Sequence, residues 1–319
     1  MLFQKTCLLS WPEIVEEASR YVEPLEKIYP RYFEEIRGIA KGSGRGFLDI
    51  LALNVRTEIN FGLFTDTSKK IDVVSDGCTS LAWFTGGKSF LSQNWDWVVE
   101  QSQNLIVCHV SQPGTDIPTF SMVTEAGILG KIGLNSEGVG CCLNAIRCRG
   151  VDRTKMPIHF ALRTVLESKS REQAIATIET AGIAGSGHIL IGDSTGSTGL
   201  ECTSKWVKQI NMDEKGRVYH TNHLILDHSD VDEPPWLADS PLRLKHISQM
   251  TENMVEPQLI DIQGIFKDEV GYPASINRKT EGQCITQTLF NIVMDLSDRR
   301  AEVIVGRPTE QGEQFTLSF

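Results

Sequence analysis

The sequence predicts an α+β fold in one domain, with two sheets sandwiched between helical layers. Three observations carry that reading. Residues 11–62 space their apolar side chains at three and four. From Cys78 onward the period drops to two, and short strand-like runs alternate with Gly, Asn and Pro turns. Helical spacing then returns at 157–181, a second group of strands follows, and no linker or composition break divides the chain.

In chain order, Ile14, Ala18, Tyr21, Val22, Leu25 and Ile28 line one helical face, interrupted at Pro24 and Pro30. Gly42-Ser43-Gly44 closes that region, and "FLDILALNVRTEINF" supplies a second apolar face. The runs "CTSLAWF", "SFLSQNWDW", "LIVCHV", "TFSMVTEAG" and "GKIGLNSEGVGCCLNAI" read as strands. Helices are expected at 157–168 and 171–181, then strands at "HILIGD", "STGLECT", "KWVKQI" and "RVYHTN". Residues 239–268 read as helices. "TLFNIVMDLSDRRAEVIVGRP" reads as a hairpin turning at Ser297-Asp298, with a last strand near "QFTLSF". The glycine-rich "IAGSGHILIGDSTGSTG" lacks the Gly-Lys-Ser/Thr of a phosphate loop and reads as a strand turn.

Apolar residues make up 40% of the 319-residue chain and charged residues 23%, which suits a globular protein with a sizeable core. A net charge of −10 argues against a nucleic-acid footprint, which needs a basic face. No apolar run approaches the roughly 18 to 20 residues of a membrane helix. The opening "MLFQKTCLLSWPEIVEE" is too short in its apolar part for a signal peptide, and the ending Leu317-Ser318-Phe319 is not a peroxisomal tripeptide. Together these predict a cytoplasmic protein without nucleic-acid or membrane partners.

None of the eight cysteines forms a C-x-x-C pair, and disulfides are not expected in a reducing compartment. Cys7, Cys108, Cys141, Cys142, Cys148, Cys202 and Cys284 read as core residues. Cys78 differs. It follows Gly77, whose unsubstituted carbon and permissive backbone suit a thiol attacking the preceding carbonyl, and Thr79 and Ser80 stand beside it. No histidine sits in a recognised Cys-His signature. Cutting the Gly77–Cys78 bond would instead give Cys78 an α-amine with a pKa of about 7.7 to 8.0, within reach of its own thiol. "HTNH" contains His220 and His223 at an H-x-x-H spacing but has no third ligand at metal spacing, so no metal site is expected.

The blocks "DGCTSLAW…LSQNWDW", "TEAGILGKIGLNSEGVG", "VYHTNH" and "YPASINR", with "LNVRTEINFGL" before the cysteine, occur here in order over nearly the whole chain. In these the sequence resembles the acyl-coenzyme A:isopenicillin N acyltransferase family, N-terminal-nucleophile hydrolases also classed as C45 peptidases. The resemblance implies a four-layer αββα fold and a precursor that cuts itself before Cys78, leaving 1–77 and 78–319 as associated subunits. It implies Cys78 as nucleophile, Asp96 beside the new N-terminus, Asn222 as oxyanion donor, and Arg278 near Asp96 and the nucleophile. The Arg278 guanidinium would pair the Asp96 carboxylate in a two-point geometry.

That chemistry forms a thioester on Cys78 from an amide or from acyl-coenzyme A, which an amine or water then resolves. The expected function is acyl transfer to a small peptide-like metabolite. The alternative is amide hydrolysis of the penicillin V acylase and bile-salt hydrolase type, and a non-catalytic, non-maturing binding protein is a third reading. No resident cofactor is implied. Acyl-coenzyme A is a candidate cosubstrate, with Arg278-Lys279 a candidate basic pair for its phosphates, and the cleaved heterodimer is the expected assembly.

Overall fold

A computed structural model describes residues 7–64 and 77–319, so residues 1–6 and 65–76 of the expected 1–77 subunit lie outside the described residues. The amino-terminal part is helical: α1 (Trp11–Ser19), α2 (Val22–Leu25), α3 (Pro30–Ser43), α4 (Phe47–Asn54) and α5 (Arg56–Gly62). Ser10 and Glu13 form a capping box at the start of α1, with the Ser10 N–H donating to Glu13 Oε2 at 2.7 Å. The expected apolar face is largely borne out, since Ile14, Ala18, Tyr21 and Leu25 are buried. Ile28 departs from it and is exposed, because α2 stops at Leu25 and the chain restarts at Pro30 on a new axis.

Among the described residues two antiparallel sheets follow. The first takes β1 (Gly77–Thr85), β2 (Lys88–Val98), β10 (Arg217–His220), β11 (Thr286–Asp295), β12 (Arg300–Val305) and β13 (Gln314–Ser318), in the order β10-β1-β2-β11-β12-β13. The second is a meander of β3 (Leu105–Val110), β4 (Phe120–Glu125), β5 (Ile132–Asn135), β6 (Gly140–Ala145), β7 (Gly187–Asp193), β8 (Gly196–Cys202) and β9 (Val207–Asn211). β1 and β2 turn at Gly86-Gly87, both at positive φ (+55° and +76°), the backbone that a tight hairpin needs and that side chains disfavour. The β11–β12 hairpin closes over Ser297-Asp298, and the glycine-rich stretch forms the β7–β8 hairpin.

The two sheets pack face to face. Helices α6 (Ile158–Leu166) and α7 (Arg171–Ala181) cover the outer face of the seven-stranded sheet, and α8 (Ser240–Thr251) and α9 (Leu259–Ile265) cover that of the six-stranded sheet. This is the four-layer αββα order. Alternation along β1 and β2 divides the side chains between two cores. Cys78, Ala82, Leu91, Trp95 and Trp97 join the inter-sheet core, whereas Leu81, Trp83 and Phe90 pack with Ile247, Ile262 and Ile265 of α8 and α9.

Some polar groups between the sheets are paired, which offsets the cost of burying them. Gln93 donates to the Leu143 carbonyl and accepts the Leu143 N–H, stapling β2 to β6. α6 is buried on nearly every side, lying between the seven-stranded sheet and the amino-terminal helices.

Candidate active site at Cys78

Gly77 and Cys78 open β1, flanked by β2. Opposite them in register stand Asp96 and Trp95. Cys78 is only 1% exposed, and it borders a small cavity of about 20 Å³, walled also by Phe61, Trp95, Trp97, Leu143 and Ala145. Burial pushes Cys141 up to about 12 and holds Cys142 well above the ordinary thiol range, so neither supplies thiolate near neutrality.

Asn222 follows β10, and the cap of α8 fixes it there: its backbone N–H donates to Ser240 Oγ at 2.8 Å, and its carbonyl accepts from Trp236 Nε1 at 3.1 Å. Its side-chain oxygen accepts the backbone N–H of Cys78 at 2.8 Å, and its Nδ2 donates to the Ala145 carbonyl at 3.0 Å. The amide therefore presents oxygen to the Cys78 nitrogen and its NH₂ to the cavity wall.

Asp96 and Arg278 meet on the opposite face of β1, beneath Gly77. Arg278 Nε lies 3.5 Å from Asp96 Oδ2, and Thr288 donates its hydroxyl to Asp96 Oδ1 at 2.7 Å. A methyl built on Gly77 would stand 2.5 Å from Arg278 Nε and 2.8 Å from Asp96 Oδ2. Glycine is thus required here by the charges packed against its α-carbon.

The expected two-point Arg278–Asp96 pairing is not found. Arg278 turns Nη2 to Asp239 and Nη1 to Cys284 Sγ, leaving Nε for Asp96. Burial disfavours its charge, but the Asp239 and Asp96 carboxylates outweigh that and hold its pKa above the ordinary value. With Arg278 buried and bonded this way, it is also withdrawn from the basic pair envisaged with Lys279.

Two residues that the sequence did not single out complete the arrangement. Arg243, buried on α8, donates to the Cys78 carbonyl at 2.6 Å, to Thr79 Oγ1 at 2.9 Å and to Asn222 Oδ1 at 2.9 Å. Its Nε donates to Asp239 Oδ2 at 2.7 Å. Burial opposes the Asp239 charge, yet Arg243 and Arg278 overcome it and keep that carboxyl below its usual range. The run "ADSPLR" carries the only signal, an acid–base pair spaced by four at a Pro-marked helix start. That spacing places Arg243 beside Asp239 but says nothing of Cys78.

Among the described residues no histidine lines the cavity. His220 is engaged by Glu201 at 2.8 Å and stacks on His188 at 3.7 Å between ring centres, and His188 in turn meets Asn144 at 2.9 Å. The H-x-x-H pair is divided as well, since His223 turns to Ser240 Oγ at 2.8 Å.

Comparison with known proteins fits this geometry. Residues 83–310 match the model of the family described as "Acyl-coenzyme A:6-aminopenicillanic acid acyl-transferase". The chain is 38% identical over 312 residues to the 40 kDa form of acyl-coenzyme A:6-aminopenicillanic-acid acyltransferase of Emericella nidulans, covering 96% of this chain and 84% of that one. Its fold is similar to a variant of conjugated bile acid hydrolase from Clostridium perfringens (TM-score 0.53, 16% identity, 76% of this chain and 92% of that one). It is also similar to the Caenorhabditis elegans ortholog of N-acylethanolamine-hydrolyzing acid amidase (TM-score 0.52, 15% identity, 69% and 93%). The chain belongs to the acyl-coenzyme A:6-aminopenicillanic acid acyl-transferase family.

Proposed function

We propose that the chain is a cysteine N-terminal-nucleophile acyltransferase that matures by cutting itself between Gly77 and Cys78. The observation that carries this is the placement of Gly77-Cys78 between Asn222, on the Cys78 nitrogen, and the Asp96–Arg278 pair under Gly77. In maturation the Cys78 thiol attacks the Gly77 carbonyl carbon. The Gly77–Cys78 C–N bond breaks, the proton goes to the departing nitrogen, and water hydrolyses the thioester to leave a Gly77 carboxylate and a free α-amine.

In turnover that amine takes the thiol proton, and the thiolate attacks the substrate carbonyl. Asn222 Nδ2 donates to the oxyanion, a contact whose loss typically costs roughly 3 to 4 kcal/mol in the transition state. The amine returns its proton to the leaving group, and an acceptor amine resolves the thioester. Acyl-coenzyme A is taken as the donor by analogy with the Emericella relative's name. Water in the acceptor's place gives amide hydrolysis with the same residues.

The intact mass of purified wild-type protein beside Cys78→Ala tests the reading. Two wild-type fragments dividing at Gly77/Cys78, with an uncut mutant, are expected. A wild-type chain that stays whole under native conditions would remove the α-amine from the mechanism.

A further inference from the structure

We propose that Glu201 is a positioning residue for the oxyanion donor: its carboxylate reaches across from the seven-stranded sheet and fixes the segment that carries Asn222 beside Cys78. The inference deepens the proposed function and rests on Asn222 donating to the oxyanion there. Glu201 lies in β8, opposite His188 of β7 and Lys208 of β9, and is fully buried. Asn222 follows β10, which belongs to the other sheet.

Residues 221–226 are irregular in backbone, and side chains take several of their N–H groups. Glu201 Oε1 accepts the Ile225 N–H at 2.6 Å, and Oε2 accepts the Leu226 N–H at 3.1 Å. His220 Nε2 lies 2.8 Å from the same Oε1. One carboxylate thus grips the chain two residues before Asn222 and three and four residues after it. Inside that bracket Ser240 Oγ takes the Asn222 N–H at 2.8 Å, and Glu233 Oε1 takes the Leu224 N–H at 3.0 Å.

A carboxylate is stable in such a place only where donors surround it. Burial opposes the Glu201 charge, yet the His220 bond and the two backbone N–H groups outweigh it and keep the carboxyl below its usual range. Glutamine has the same shape but only one acceptor end. In either orientation of the amide, its NH₂ would meet Ile225 or Leu226 as donor against donor. The carboxylate is therefore required as a two-ended acceptor. Glu201→Gln should loosen the Asn222 segment while leaving the volume of the core unchanged.

Two reactions at one thiol separate positioning from general damage. With p-nitrophenyl acetate the Cys78 thiolate bonds the carbonyl carbon, the carbonyl oxygen becomes an oxyanion, and p-nitrophenolate leaves. With iodoacetamide it forms a C–S bond as iodide leaves, and no oxyanion develops. Both reactions need the thiolate and access to it, so the acylation-to-alkylation ratio reads the oxyanion donor. Both rates are followed per cut chain by the mass of the Cys78 peptide. Glu201→Gln is expected to lower the ratio at least about tenfold, against roughly 100- to 1000-fold for loss of a whole donor. A wild-type ratio in that variant overturns the inference, even where both rates fall together. Should Glu201→Gln fail to fold, Glu201→Asp, one methylene short of the segment, is judged by the same criterion. Amide hydrogen exchange of the wild-type chain needs no variant: Ile225 and Leu226 should exchange at least about 100-fold slower than an open chain. Free exchange at both overturns the inference. A wild-type chain that is not cut, or not acylated at Cys78, fails the proposed function itself, and the positioning role falls with it.

Discussion

At Gly77 a hydrogen stands where a methyl group would overlap a guanidinium and a carboxylate. Glycine before the cysteine was legible in the sequence as an uncrowded carbon. The crowding of Arg278 and Asp96 against it was not, because those residues lie 201 and 19 positions downstream and reach Gly77 from the far face of β1. Gly77→Ala should therefore displace the Asp96–Arg278 pair and slow maturation at least about tenfold, a barrier change of roughly 1.4 kcal/mol. The fraction of intact chain after synthesis, followed by denaturing gel, reads this directly. Maturation at the wild-type rate would show that the pair plays no part in cutting.

At the scale of elements, α8 acts as a clamp on the start of strand β1. Asp239 and Arg243 sit one helical turn apart, and Arg243 spans the Cys78 carbonyl, Thr79 and the Asn222 amide. Because Arg243 holds Asn222 Oδ1, the amide keeps Nδ2 toward the cavity wall, which makes Arg243 a positioning residue. Arg243→Met would remove one of the two cations on Asp239 and the arginine donor to the Cys78 carbonyl, Thr79 Oγ1 and Asn222 Oδ1, and loss of one partner from a buried ionic network costs roughly 3 to 5 kcal/mol. Denaturant unfolding should show that loss, and Arg243→Lys should recover only part of it, since an ammonium cannot fork among these acceptors. An unchanged midpoint in Arg243→Met would mean that the clamp contributes nothing to stability.

The whole molecule shares one core across the proposed cut. Ile14, Phe33 and Ile59 from the amino-terminal part pack in the same cluster as Phe160 and Leu190, so severing Gly77–Cys78 would separate no core contact. That core also encloses ionisable groups. Burial raises Glu58 to about 7, although its carboxylate accepts the Ile158 N–H at 2.8 Å. The folded pKa thus lies above the ordinary value of 4.5, so the folded state binds the extra proton between these limits. Its contribution is fully present below about pH 4.5 and is lost as pH rises through about 7. Glu58→Gln, neutral throughout, should raise Tm relative to wild type at pH 8, with the gain shrinking toward pH 5. Thermal melts across that range check the sign, and a gain that grows as pH falls would refute it.

Much of this architecture was settled by local patterning. The switch of apolar period at Cys78, the Gly86-Gly87 turn and the Pro-marked helices specify element type through backbone sterics and side-chain alternation, which act over a few residues. The motif order also pointed to Cys78, Asp96, Asn222 and Arg278, and the fold brings all four around Gly77-Cys78. What only the tertiary structure decided is which groups face one another. The Arg278 guanidinium is shared mainly with Asp239 rather than forked onto Asp96, Arg243 joins β1 to Asn222, and Arg56 and Lys131 converge on the cavity beside Cys78. These pairings join residues far apart in the chain, and the direction of a long charged side chain is set by the surfaces that bury it, which no short-range pattern encodes.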